Sequence, residues 1–256
     1  MPLLPFPEPY TAVVVGLVVA QLATLATTVY MHRAAAHKAL TLNRPLTFGF
    51  RFITWVTVGI KPREWVAVHR KHHAFTDVEG DPHSPKVLGW VRVQLTNVAL
   101  YRREARNDVT IARYAKDMPQ DRWDRVLFDR AWLGLGLGIS FLIFLFGPLL
   151  GLIAAAVHMS TYLMSNAAVN AVGHTFGKRP YENSGTNVRW LALITGGEGW
   201  HNNHHAAPTS ARIGFDRRQA DLGWWFIRAL RSFGLAQVRH DRPVLVGERR
   251  KDQAAA

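Results

Sequence analysis

The 256-residue chain has no cysteine. That absence excludes disulfides, thiolate zinc sites and iron–sulfur ligation, so any metal must be held by nitrogen and oxygen. Acidic residues are scarce, with 18 Asp and Glu against 31 Lys and Arg and a formal net charge of +13. Charge of either sign is missing from 11–31 and from 131–171. An apolar content of 48% is ordinary for a soluble protein, but here it is segregated into those runs. A basic chain suits nucleic acid, anionic lipid beside cytoplasmic loops, or an acidic partner protein. Nucleic acid is set aside, because no basic stripe is interleaved with stacking aromatics.

The uncharged runs set the architecture. Residues 11–31 would extend about 31 Å as a helix, enough to cross a bilayer. His32, Arg33, His37 and Lys38 follow at once, which places that end on the cytoplasmic side by the positive-inside rule. Gly147-Pro148 divides the second run and predicts spans over 131–147 and 149–171 joined by a tight turn. Residues 45–60 are apolar but short, with Arg51 in the middle, and read as an interfacial or re-entrant helix. The expectation is an all-α polytopic membrane protein with about three transmembrane helices, an interfacial helix and a cytoplasmic helical cap. Residues 1–246 form one membrane-embedded domain and 247–256 a disordered tail. The segment around Leu222 to Leu235 reads as an amphipathic helix, and Trp200, Trp224 and Trp225 as possible interfacial anchors.

Histidine carries the chemistry. His69, His72 and His73 stand at i, i+3 and i+4, as do His201, His204 and His205, and on a helix this spacing brings three imidazoles to one side. With His32 and His37, eight of the twelve histidines fall in three groups, and His174 follows the last apolar run. Nine imidazoles exceed what one ion can take, so two ions with four or five nitrogens each are expected. The donor set admits iron, zinc, copper, manganese or cobalt, and spacing alone does not choose among them. His32 and His37 are five apart, about 140° on an α-helix. Either the helix ends between them or they serve different sides of the cluster. Asn170 and His174 are four apart, and both could reach the site. Glu64, Asp77, Asp81 and Glu198 are candidates to hold the far ring nitrogens.

Gln21, Thr24 and Thr28 form a polar stripe leading to His32. Its threonines either bond back to their own helix or line a buried ligand. With Gly16, Ala20 and Trp65 these residues are the candidate substrate tunnel. His158, at mid-span, reads as a packed or hydrogen-bonded histidine ahead of a cavity lining. His83, between two prolines, reads as turn structure or support for the site, and His240 as surface.

The runs His32-Arg-Ala-Ala-Ala-His37, His69-Arg-Lys-His72-His73, Asn170-Ala-Val-Gly-His174 and Gly197-Glu-Gly-Trp-His201-Asn-Asn-His204-His205 resemble the integral-membrane fatty acid desaturases of the stearoyl-CoA type, as does Asp81-Pro-His-Ser-Pro85. The similarity extends from about residue 11 to about residue 240. It implies two iron ions held by nine histidines, with zinc a substitute in isolated protein. His32, His37, His69, His72, His73, His174, His201, His204 and His205 would be the ligands, with Asn170 acting through water. It further implies dioxygen as co-substrate, a fatty acyl substrate in a kinked tunnel, and electrons from a ferredoxin or a b-type cytochrome with its reductase. A bacterial plasma membrane, with the active site on its cytoplasmic side, is the expected location.

The chain departs from that pattern twice. Family members usually carry another span before the first histidine pair, so here the amino terminus is expected outside. Acyl-CoA enzymes carry an arginine–aspartate pair before the second box, where this chain has Ala67 and Val68. CoA, carrier protein and lipid therefore all stay open as head groups. A related hydroxylase, acetylenase or terminal-alkene-forming enzyme would share these motifs. A membrane metal transporter would want mid-span ligands and repeated halves, and only His158 is mid-span.

Overall fold

A computed structural model describes residues 8–240 and 242–246; the expected tail at 247–256 lies outside them. The chain is mostly helical. Helix α1 (Pro9–Ala26) runs without interruption into a π-helical segment, Thr27–Ala36. Together they make a 28-residue apolar rod, and α8 (Pro148–Ala171) is a second of 24 residues. Both are long and apolar enough to cross a membrane. Helix α7 (Ala131–Phe146) has 16 residues, about 24 Å against a hydrocarbon core of about 30 Å. The observed bounds fall within a residue or two of the expected spans at 131–147 and 149–171, but only two of the three helices reach full spanning length.

Small residues let these rods approach. A Cβ on Gly16 would lie 2.6 Å from the Ala154 carbonyl oxygen and 2.9 Å from Val157 Cβ. Glycine at that position lets α1 and α8 pack backbone to backbone, as helices do where lipid gives no hydrophobic drive to associate. The α7–α8 corner is Gly147, at φ +81°, followed by Pro148 as the first residue of α8.

Helix α2 (Arg44–Val58) is the expected short apolar helix. Asn43 caps it by accepting the Leu46 N–H at 2.9 Å. Its central Arg51 is neutralised from the polar block, bonding both carboxylate oxygens of Asp121 (2.6 and 3.1 Å) and one of Asp124 (2.6 Å). Helix α3 (Pro62–Ala74), the short α4 (Pro85–Leu88), α5 (Trp90–Ala105) and α6 (Asp108–Tyr114) complete the first half. Helices α9 (Arg189–Ile194), α10 (His201–Ala206) and α11 (Leu222–Ser232) follow α8. The all-α expectation needs one amendment. Strands β1 (Leu40–Leu42) and β2 (Ala236–Val238) pair antiparallel, Leu40 opposite Val238. The ribbon ties the exit of the first rod to the chain after α11. Ala26, Val29, Tyr30, Met31, Phe50 and Ile227 share a core cluster beneath it, which fixes the height of His32.

Candidate metal centre

Helix α3 carries His69, His72 and His73, α10 carries His201, His204 and His205, and the turn after α8 carries His174. The nine rings form two groups able to hold a metal ion. One is His32, His37, His69, His73 and His204; the other is His72, His174, His201 and His205. Within each group the candidate ligand atoms all lie within 4.8 Å of one another.

Neither triplet aims at a single centre, contrary to the sequence reading. His69 and His73, at i and i+4, enter the first group while His72 enters the second. His201 and His205 enter the second and His204 the first. At 100° per residue, i and i+4 differ by about 40°, whereas i+3 and i+4 differ by about 100°. The intervening ring therefore points to the other side, and each helix serves both groups.

The His32–His37 pair is settled by a conformation that the spacing argument left out. The chain stays helical through His32 but widens to an i→i+5 ladder, and the His37 N–H donates to the His32 carbonyl at 3.1 Å. Such a ladder stacks residues five apart nearly above one another. Both rings thus join one group, with centroids 4.9 Å apart.

Ring nitrogens meet at short range. His204 Nε2 lies 3.1 Å from His32 Nε2 and 3.0 Å from His73 Nε2. His201 Nε2 lies 2.9 Å from His174 Nε2 and 3.2 Å from His205 Nε2. His37 Nε2 and His69 Nε2 are 2.8 Å apart. One N–H cannot fill two such contacts. Carboxylates, moreover, claim the opposite nitrogens: His174 Nδ1 meets Asp77 at 2.9 Å, His72 Nδ1 meets Asp81 at 3.0 Å and His32 Nδ1 meets Glu198 at 2.8 Å. A proton held on Nδ1 leaves the Nε2 lone pairs of His32, His72 and His174 turned toward the groups. Two nitrogens about 2.1 Å from one ion and roughly at right angles lie about 3 Å apart, so a cation fits each group. Glu64, the fourth candidate carboxylate, pairs with Lys61 instead, at 3.0 Å.

The electrostatics favour the ligating forms. Burial, then neighbouring imidazoles, hold His69, His73, His201, His204 and His205 well below the ordinary imidazole value, which keeps them neutral. Burial pushes the carboxyls of Asp77 and Asp81 up, but their histidine partners more than reverse it and hold both below the usual range. Glu198 follows the same pattern under His32 and Arg33.

Four supports were not evident from sequence. Arg33 is 1% exposed and bonds the Ala211 and Gly196 carbonyls (2.8 and 3.2 Å) and Asp221 (2.8 Å). Asp221 also accepts the N–H groups of Ile213, Gly214 and Trp224. Asn202 and Asn203, inside the last histidine motif, face away from the rings. The Asn202 amide donates to the Tyr181 and Gly185 carbonyls, and the Asn203 amide to Ile213 and Gln219. A polar residue inside or beside a histidine motif was the available signal, since such a group costs about 1–3 kcal/mol if the fold buries it without partners.

A cavity of about 320 Å³ opens against both groups, with His32, His69 and His201 on its wall. Of the candidate tunnel residues, Thr24, Thr28 and Trp65 line it, and so does Asn170. Thr28 donates to Glu198 and does not bond back to its own helix. Gly16, Ala20 and Gln21 are not on the cavity wall. Gly16 is the α1–α8 contact already described, Ala20 packs with Ala23, Val58 and Tyr162, and Gln21 reaches outward to the Ile194 carbonyl at 3.4 Å. The stripe drifts around the rod, so only its lower part faces inward. His158 bonds the Thr57 carbonyl at 2.7 Å and is a packed histidine. His83 is buried beside His72 and Asp81, and burial lowers it to about 3.

A model of the family described as fatty acid desaturase matches residues 8–237. The Delta-9 acyl-lipid desaturase 1 of Arabidopsis thaliana is 33% identical over 246 residues, covering 91% of this chain and 77% of the relative. The Delta-9 desaturase-like 2 protein of the same plant is 34% identical, covering 91% and 78%. The icosanoyl-CoA 5-desaturase of Limnanthes douglasii is 32% identical, covering 83% and 60%. Paired histidine groups on one cavity, together with these matches, place the chain in the fatty acid desaturase family, as an oxidoreductase that desaturates fatty acyl chains.

Proposed function

We propose that the two groups hold two iron ions, with His32, His37, His69, His73 and His204 on one and His72, His174, His201 and His205 on the other. Asn170 completes the second through a water molecule. The facing Nε2 atoms, 2.8 to 3.2 Å apart, support this reading most directly. Iron with dioxygen and two electrons would supply the oxidising power to take one hydrogen from each of two adjacent unactivated methylenes, which acid–base side chains lack. The protein supplies position, because the methylenes of an acyl chain are chemically alike. Val58, Ile60, Leu135, Met159 and Leu163 give the cavity an apolar wall, while Asn97, Tyr101 and Arg102 give it a polar stretch. The acyl tail takes the first and the polar end of the substrate the second. Trp65 stacks on His69 at 4.9 Å between centroids and holds that ring against the chain.

The substrate is an acyl chain carried as a thioester or in a lipid. The relatives named above include an acyl-lipid and an acyl-CoA enzyme, and Ala67 and Val68 offer no charge to a CoA head group. Electrons come from a separate carrier, a ferredoxin or a b-type cytochrome, drawn by the basic surface. The first rod, α7 and α8 sit in the bilayer with the histidine side cytoplasmic, in keeping with His32, Arg33, His37 and Lys38 at the rod's end.

Mass spectrometry of lipids from a host expressing the protein, beside one expressing His204→Ala, tests this reading. New unsaturated chains are expected only with the unaltered protein, together with two irons per purified chain. Hydroxylated or terminal-alkene products would shift the assignment to a different outcome on the same site.

A further inference from the structure

Helix α11 has two apolar faces, and the protein uses one. Ile227 and Leu230 are buried in the cluster that contains Ala26, Val29, Tyr30 and Met31, where the first rod runs out into the histidine region. On the other face Leu222 and Trp225 are 40% and 53% exposed, and Phe233, the C-cap, is 78% exposed. Beside that face lies a recess of about 260 Å³, with Arg212, Arg217, Arg228, Trp224 and Trp225 on its wall. Among the described residues, none of these three guanidinium groups has a carboxylate within ion-pair distance. Two acidic residues share the wall. Asp221 is consumed by Arg33 and three backbone N–H groups, and Asp216 accepts the Arg218 N–H.

We propose that α11 lies in the membrane interface and that this recess binds the phosphate head group of an anionic phospholipid. The inference rests on the membrane orientation proposed above. Its height follows from packing, since the buried face of α11 seats on the end of a membrane rod. Its ligand follows from charge, since three arginines around one recess call for a phosphate-like anion. Its source follows from the neighbours. Tryptophan beside exposed leucine and phenylalanine is the composition of the bilayer boundary, and an acidic soluble protein would leave that apolar face uncovered.

The full-length protein is reconstituted in nanodiscs of mixed phosphatidylcholine and phosphatidylglycerol, and the lipid that stays with it through detergent extraction is counted by mass spectrometry. The unaltered chain enriches phosphatidylglycerol over its bulk fraction. The Arg217→Gln/Arg228→Gln variant loses about fivefold of that enrichment per arginine, with an unchanged unfolding midpoint, while Arg113→Gln on α6 keeps it. Enrichment that survives the double variant, or that millimolar inorganic phosphate abolishes, overturns the proposal. So does intact enrichment with a raised KM for the electron donor, which would assign the recess to an acidic protein. A chain that inserts without lipid preference overturns this site alone, whereas one that fails to insert overturns the membrane orientation as well.

Discussion

The five-histidine and four-histidine groups draw on the same two helices but are steadied in different ways. In the first, one ring in five has a carboxylate behind it, Glu198 on His32. Its geometry comes from the backbone instead, through the π-helical turn and the buried Arg33. In the second, two rings in four are backed by carboxylates, Asp81 on His72 and Asp77 on His174. A carboxylate raises ligand basicity and fixes ring orientation, so fewer nitrogens can hold an ion while leaving positions open. Under the proposed metal assignment, the difference means that ligand count and ligand support substitute for one another.

Single-ring deletions test that contrast with the largest effect. His204→Ala and His205→Ala should each bring product formation to background and leave about one iron per chain. The ion remaining should be that of the second group in His204→Ala and that of the first in His205→Ala, as Mössbauer spectra would show. Loss of both ions from both variants would break the idea of two separable groups. Next, Asp81→Asn should weaken the second ion about 10- to 100-fold in competitive chelator titration and leave the first ion unaffected. Equal weakening of both would mean that the carboxylate supports the fold and not one ion.

Arg33→Met should cost about 3–5 kcal/mol in denaturant unfolding, because it strands the buried Asp221 charge, and should disturb the first group more than the second. A smaller effect concerns acid. Imidazoles held below their ordinary value take up protons less readily folded than unfolded. Stability of the metal-free protein is therefore complete above about pH 6.5 and lost as pH falls below it. The slope should be multi-proton, since His69, His73, His201, His204 and His205 all shift this way. A flat pH profile between 7 and 5 in circular dichroism would contradict it. Smallest is Met159→Trp, which should shorten the accepted acyl chain without changing iron content; an unchanged product profile by gas chromatography would remove Met159 from the tail-binding wall.

What the sequence revealed were features with a period or a length. The uncharged runs gave α7 and α8 within a residue, while the first rod extends two residues before and five beyond the expected 11–31. Histidine spacing marked eight of the nine rings, and His174 was marked by its place after the last apolar run. Glu198, Asp77 and Asp81 were legible as carboxylates near those motifs. Features set by tertiary contact were not. The π-helical widening has no local signature that the spacing reading used; in the fold, Tyr30 and Met31 of that segment pack in one cluster with Ile227 of α11. Gly16 and Ala20 looked like tunnel residues because small side chains leave room, but α8 fills that room. Asn202 and Asn203 carried no reading in the sequence, and only the loops they tie together explain why they are amides.

One dimension of the site follows from α3 and α10 each feeding both groups. The interval between the two centres is set by the girth of a helix, a rigid quantity, and not by the reach of a loop. Rolling either helix re-aims rings at both centres together, so the pair behaves as one geared assembly, and neither position can be retuned by a local adjustment that spares the other.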